Sequence, residues 1–376
     1  MSAPVYRYIQ QRLQERKTAD NFRVLGSLIG GIDFTSNDYL GLAHDKDLAT
    51  AVERELASCK ELPLGSTGSR LLTGNTAYAM QLEKQIALFH HAEAALLFNS
   101  GFDANYGLLS CLPYRGDTVL YDASVHASIH DGMRNSKATS IPFAHNDVAD
   151  LEVKLKSAKG IKYVVIESYY SMDGDFAPLK LIAALCKQYE AGLIIDEAHA
   201  TGLFGANGSG YANAEGVEAD CLARIYTYGK AMGAHGAVIV GRSALIDFLI
   251  NYCRPFIFST AAPLHSLVVL SCVYKYLPSL QARRENLLHL VTKFKEKLAD
   301  LSAGHILPGN GPVQSVVFPG NANIKSLATK LQQQGFDVRP ILYPTVPKGT
   351  ERIRVCLHSF NTTEEVVKLA QAIKSA

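Results

Sequence analysis

"KYVVIESYYSMDGDFAPLKLIAALCKQYEAGLIIDEAH", residues 162–199, decides the fold class. Its two ends, KYVVIES and GLIIDEAH, are continuous apolar runs, short and rich in β-branched residues, which read as strands. Between them, PLKLIAALCKQYE carries its apolar residues at helical spacing. Strands that are apolar throughout, separated by a helix, indicate a parallel sheet covered on both faces. The same alternation runs from about residue 76 to 241, with AALLF, DTVLYD, RIYTYG and GAVIVG as further strands. TAYAMQLEKQIALFHH and VADLEVKLKSA supply helices. The expected class is therefore α/β with a mostly parallel central sheet, whose ligand site lies at the carboxyl ends of the strands.

Outward from this block the pattern changes. The first 25 residues space apolar and charged positions as a helix does, and LGSLIGGIDFTSNDYLGLA then breaks into glycine-rich turns. Beyond GRSALIDFLINYCRPFIFSTAAP a long helical region runs from Leu264 to Leu301, followed by VQSVVF, FDVRPI and RIRVCLH as strands. The expected division is an arm and entry segment at 1–45, a large domain at 46–260, and a linking long helix with a small α+β domain at 261–376. With 376 residues, 48% hydrophobic and 19% charged, the composition is that of a soluble globular enzyme. A net charge of +2 predicts no nucleic-acid partner. No apolar run reaches the roughly 18 residues that span a bilayer, and the N-terminus lacks a signal peptide's apolar core, so a cytoplasmic, membrane-free protein is expected. The seven cysteines show no CxxC spacing and read as buried reduced thiols, with no metal site.

The chemistry-bearing residues collect just past the apolar runs. AALLF is followed by Ser100, Gly101 and Phe102, whose backbone N–H groups open a helix and suit an anion. DTVLYD leads to His126, which reads equally as a helix cap or a core histidine. GLIID delivers Asp196 to a strand end, with His199 three residues on. Lys230 stands in IYTYGKAMGAHGAVIVG, residues 225–241, between two apolar runs. A carboxylate at a buried strand end needs a strong partner. A salt bridge is one candidate, and a metal ligand of the Walker B kind is excluded because no GxxxxGK[ST] occurs. A cationic ring nitrogen remains. A lysine to link an aldehyde, an aspartate to hold a ring proton and a histidine to lie on a ring meet the needs of pyridoxal phosphate. The small residues Gly229, Ala231 and Gly233 are expected to clear room for that ring.

TSNDYLGLA, GSTGSRLLTGN, SGFDAN, SMDGDFAPL, DEAHATGLFG, TYGKAMG, FIFSTAAP and YPTVPKGTERIRV, in this order and spacing, resemble the α-oxoamine synthases. These are fold-type-I pyridoxal-phosphate transferases, and the resemblance covers the chain from Arg23 onward. It implies that Lys230 is the Schiff-base lysine and moves the substrate proton. Asp196 would pair with the pyridine nitrogen, His199 bond the ring's phenolic oxygen, and His126 stack on the ring beside the substrate. Gly101, Phe102, Ser171 and Thr227 would hold the cofactor, and Ser259 and Thr260 would reach the phosphate of a partner subunit, making a homodimer. Arg23, Thr345 and Arg354 would bind substrate, Arg354 taking the amino acid's carboxylate. Two departures from the family pattern stand out: Asn361 falls where many members carry a histidine, with His358 three positions earlier, and Ala261 and Ala262 replace more polar residues.

The implied reaction is a decarboxylative condensation of an amino acid with an acyl thioester carried by coenzyme A or acyl carrier protein. The texture is most like the biotin-pathway branch, which uses L-alanine and a pimeloyl thioester; glycine- or serine-using siblings are the alternative. A catalytically dead partner subunit is disfavoured by the intact Lys230, Asp196 and His199. A nicotinamide dehydrogenase is disfavoured because no GxGxxG follows the first strand.

Overall fold

Seven strands form the central sheet: β2 (Ala94–Phe98), β3 (Thr118–Asp122), β4 (Thr139–Phe143), β5 (Lys162–Glu167), β6 (Ala191–Asp196), β7 (Cys221–Thr227) and β8 (Ala237–Gly241). They follow a short β1 (Ile32–Asp33). The computed structural model describes residues 3–19, 21–25, 30–301 and 304–375. The sheet order is β2-β8-β7-β6-β5-β3-β4, and only β8 runs against its neighbours. Along β6, Leu193 and Ile195 enter one packing layer with Val164 and Ile182, while Ile194 enters the other with Leu108 and Ile225. Both faces are covered, so no polar alternation survives in the strand sequence. Strand β4, TSIPF, went unanticipated. It is an edge strand with a proline and exposed Thr139 and Ser140, so it lacks the apolar run that marks its neighbours.

The remaining strands are β9 (His305–Ile306), β10 (Val313–Val317), β11 (Phe336–Asp337), β12 (Arg339–Ile341) and β13 (Arg352–Cys356). Four of them make an antiparallel sheet, β12-β13-β10-β9. FDVRPI was expected as one strand and is two. Phe336–Asp337 pairs in parallel with β1, and Arg339–Ile341 pairs with β13. The entry segment is thereby stitched to the small domain. Phe34 donates its N–H to Asp337 at 3.0 Å and accepts from Cys356 at 2.8 Å, and Ser359 donates to the Tyr39 carbonyl at 2.8 Å.

The long helix expected over Leu264 to Leu301 is also divided. Helices Leu264–Tyr276 and Gln281–Leu298 meet at a 3₁₀ turn, Leu277–Leu280, which contains Pro278. Proline has no N–H to give and crowds the preceding turn. Buried Arg284 donates to the Leu277 carbonyl at 2.6 Å and the Gly202 carbonyl at 2.9 Å, stapling the break to the large domain. The SMDGD bend fastens the two sheets together. Ser315 donates to the Met172 carbonyl at 2.6 Å, and Arg352 pairs with Asp173. Gly174 has φ +73°, and a Cβ there would stand 2.2 Å from the Val313 carbonyl oxygen, so only glycine permits this approach.

Candidate active site

A cavity of about 240 Å³ opens at the carboxyl edge of the central sheet. Strand β2 delivers Ser100, Gly101 and Phe102, β3 delivers His126, and β5 ends on Glu167. Strand β6 ends on Asp196 and leads to His199, and β7 ends on Thr227 and leads to Lys230. Because β8 is reversed, the residues before it, His235 and Gly236, join the same rim.

Asp196 is 4% exposed and held from two sides: Asn105 donates to Oδ2 at 2.7 Å and the Ala198 N–H to Oδ1 at 2.8 Å. Two donors fix the orientation of the carboxylate. Asn105 also donates to Ser128 at 3.1 Å, which bonds His126 Nδ1 at 2.8 Å. His126 Nδ1 accepts the Ser128 N–H at 3.2 Å, so the histidine caps its helix, Ala127–Asn135, and lines the cavity at once. Burial lowers its pKa, as it does for Lys230, whose amine is raised again by the Asp196 and Glu167 charges and lowered by Arg354. Burial also drives His199 well below the ordinary histidine value, with Lys230, Arg354 and His126 adding repulsion. His199 is thus neutral, and its Nδ1 meets the Tyr39 hydroxyl at 2.8 Å.

The helix Gly101–Cys111 opens at the cavity, with Ser100 accepting the Asp103 N–H at 3.0 Å and leaving the Gly101 and Phe102 N–H groups forward. A Cβ on Gly101 would meet Thr227 Cγ2 at 2.5 Å, so glycine lets this turn close on Thr227. The expected purpose of the Lys230 glycines is corrected in part. Gly233, at φ +58°, admits the backbone of Leu42 and Ala43, where its Cβ would stand 2.3 Å from the Ala43 nitrogen. Of Gly229, Ala231 and Gly233 it is Gly229 that lines the cavity, with only the Ala234 oxygen within 4 Å of a Cβ, at 3.8 Å.

Other expected residues lie apart. Ser259 and Thr260 line a separate cavity with Arg70, Gly74 and Asn99. Ser171 is half-buried on the SMDGD bend. Thr345 is exposed after the cis Tyr343–Pro344 bond, and Arg23 is exposed near the N-terminal helix. Arg354 does border the centre: its Nη2 donates to Asn37 Oδ1 at 2.8 Å and its buried Nε–H has no partner among the described residues. His358 does not reach the cavity; it bonds Ser36 at 3.1 Å and Asn361 at 3.2 Å, which explains both residues as braces of the entry segment.

Asn37, Asn105, Tyr39 and Glu167 escaped sequence reasoning. Glu167 stands beside Asp196 in the β5–β6 register, and burial followed by the Asp196 charge pushes its carboxyl well above the ordinary range. It ends its strand as Asp196 does, which was the available signal.

A family model described as "Aminotransferase class I and II" matches residues 29–373. The chain belongs to this family. Its fold is that of the fold-type-I pyridoxal-phosphate transferases in the family. An 8-amino-7-oxononanoate synthase of Emericella nidulans is 39% identical over 91% of this chain and 88% of its own length. Among solved structures, a serine palmitoyltransferase from S. paucimobilis with bound pyridoxal phosphate and myriocin superposes with TM-score 0.89 at 25% identity, over 100% and 98% of the two chains. An 8-amino-7-oxononanoate synthase from Francisella tularensis superposes at 0.80 and 28% identity, over 92% and 97%. The cavity fits the family's cofactor by its own chemistry: a doubly held carboxylate, an amine, a neutral histidine, a flat imidazole wall and a helix N-terminus for a phosphate.

Proposed function

We propose that this chain condenses L-alanine with a pimeloyl thioester, on coenzyme A or acyl carrier protein, releasing CO2, the free thiol and 8-amino-7-oxononanoate for biotin biosynthesis. The observation that carries the reading is the convergence of Lys230, Asp196, His199 and His126 on one cavity, with Arg354 at its border. Its reaction assignment draws support from relatives named for that synthase over nearly the whole chain.

Pyridoxal phosphate supplies an electron-withdrawing pyridine that stabilises negative charge at the amino acid's α-carbon. Asp196 holds the proton at the ring nitrogen. His126 would form the flat wall, and Gly101, Phe102 and Thr227 on the cavity would hold the cofactor, the helix N-terminus suiting its phosphate; Ser171, outside the cavity lining, is assigned to it by the resemblance alone. Lys230 Nζ, biased by burial toward the neutral amine, is the base that takes the α-proton and returns one to product. Arg354, whose Nε–H has no partner among the described residues, receives the carboxylate, and Arg23 and Thr345 serve the acyl substrate.

The working unit in this reading is a cytoplasmic homodimer. Ser259 and Thr260 line a cavity other than that of Lys230, and Leu71, Leu72 and Phe258 on the adjoining segments are 50%, 80% and 69% exposed. Such a surface favours a second copy, whose phosphate the pair would reach. No described helix is long and apolar enough to cross a membrane.

Purified protein supplied with L-alanine, glycine or L-serine and a panel of acyl thioesters tests the assignment by mass spectrometry of the products. 8-Amino-7-oxononanoate from L-alanine and a pimeloyl thioester is expected. Turnover with glycine or serine alone would select a sibling reaction, the reading favoured by the likeness to serine palmitoyltransferase.

A further inference from the structure

Four side chains from three distant parts of the chain form a continuous hydrogen-bonded path between Arg354 and the cavity. Arg354 on β13 donates from Nη2 to Asn37 Oδ1 at 2.8 Å and, more weakly, to the Tyr39 hydroxyl at 3.4 Å. The Tyr39 hydroxyl stands 3.1 Å from Asn37 Oδ1 and 2.8 Å from His199 Nδ1. Tyr39 is fully buried and His199 is 7% exposed. One hydroxyl proton faces two acceptors. Asn37 Oδ1 already receives the short Arg354 bond, and His199 Nδ1 is the nearer acceptor, so the proton goes to His199.

A neutral imidazole that accepts at Nδ1 carries its proton on Nε2. We infer that Tyr39 is a positioning residue that fixes His199 as an Nε2–H donor toward the cofactor ring and ties that proton to occupancy of Arg354 by the substrate carboxylate. A carboxylate that draws Nη2 from Asn37 frees Asn37 Oδ1 to compete for the Tyr39 proton. The Tyr39–His199 bond then weakens, and the Nε2–H donor is held less firmly; no proton is transferred in this step, only the hydroxyl hydrogen bond is redirected. Recognition at β13 thereby changes the hydrogen bond offered to the ring.

The other groups facing His199 are Lys230, Arg354, His126 and the Tyr169 ring. None of these bonds Nδ1 among the described residues, so Tyr39 alone sets the tautomer there. The inference rests on the pyridoxal-phosphate reading above.

The test uses the full-length protein reconstituted with pyridoxal phosphate, and propionate as a carboxylate without an amine. The readout is the pH midpoint of the visible absorbance change. In the parent protein saturating propionate shifts the midpoint. In Tyr39→Phe the midpoint itself moves by roughly 0.5–1 pH unit, the size of one lost hydrogen bond, and the propionate shift disappears. KM for L-alanine rises roughly fivefold. In a His199→Asn background the Tyr39→Phe change adds no further shift, because the hydroxyl acts through His199. A Tyr39→Phe protein that keeps the parent midpoint and propionate response, or a shift that persists in the His199→Asn background, overturns the inference. A parent protein that develops no lysine-dependent visible band overturns the functional reading instead.

Discussion

Two clusters at neighbouring strand ends combine histidine with buried carboxylate and reach opposite electrostatic states. Just past β4, His145 is gripped at both ring nitrogens, Nδ1 by Asp122 at the end of β3 at 2.8 Å and Nε2 by Asp175 at 3.0 Å. Burial would lower its pKa, but the two carboxylates raise it to about 10. Asp122 also accepts the Asn146 N–H at 2.8 Å, and Asp173 is taken by Arg352. Within one turn of β5 and β6 the Lys230 cavity does the reverse. Its amine and the histidines His126 and His199 are lowered, and Glu167 beside Asp196 is raised, so each of these groups is pushed toward neutrality. Saturated charge braces a fold, whereas charge left short of partners marks a place where a ligand completes the set.

Replacing Lys230 with Ala gives the sharpest contrast. Turnover should fall by at least 10²–10⁴-fold, the range of a positioned proton-transfer group, and the visible band of the lysine-linked cofactor should vanish while thermal stability holds. Near-parent activity with the band retained would break the comparison at its catalytic side.

His145→Asn tests the other side. A histidine raised in the folded state stabilises fully below its unfolded value near 6.5, and the contribution is lost as pH rises through about 10. The variant should melt roughly 3–5 °C below the parent at pH 6, converge with it at pH 11, and keep its product profile. A gap that does not close with pH would show that packing, and not charge, sets the role of His145.

The smallest effect is expected for Glu167→Gln. A carboxyl raised in the folded state binds more protons folded than unfolded, so its cost to stability grows as pH rises above about 4.3. The substitution should raise the melting temperature by about 1–3 °C more at pH 8 than at pH 4, read by calorimetry without substrate. An equal change at both pH values would mean that Glu167 is ionised in the cavity.

The amino-acid sequence by itself determined the alternation of fully apolar strands and helices, and the polar residue that each strand sets at its end. Both are local: a strand buried on two faces is apolar throughout, and Asp196, His126 and Lys230 stand within a few residues of such runs. The edge strand at Thr139–Phe143 and the break at Pro278 were less legible, since an edge needs no apolar run and a buried arginine from the next helix closes the break. Tertiary structure alone decided which strand ends meet. Register puts Glu167 against Asp196, and the pairing of β1 with β11 brings Asn37 and Tyr39 beside Arg354, more than 300 residues away in the chain. Periodicity encodes which face of an element is buried, but the partner across that face is chosen by the packing of the whole chain.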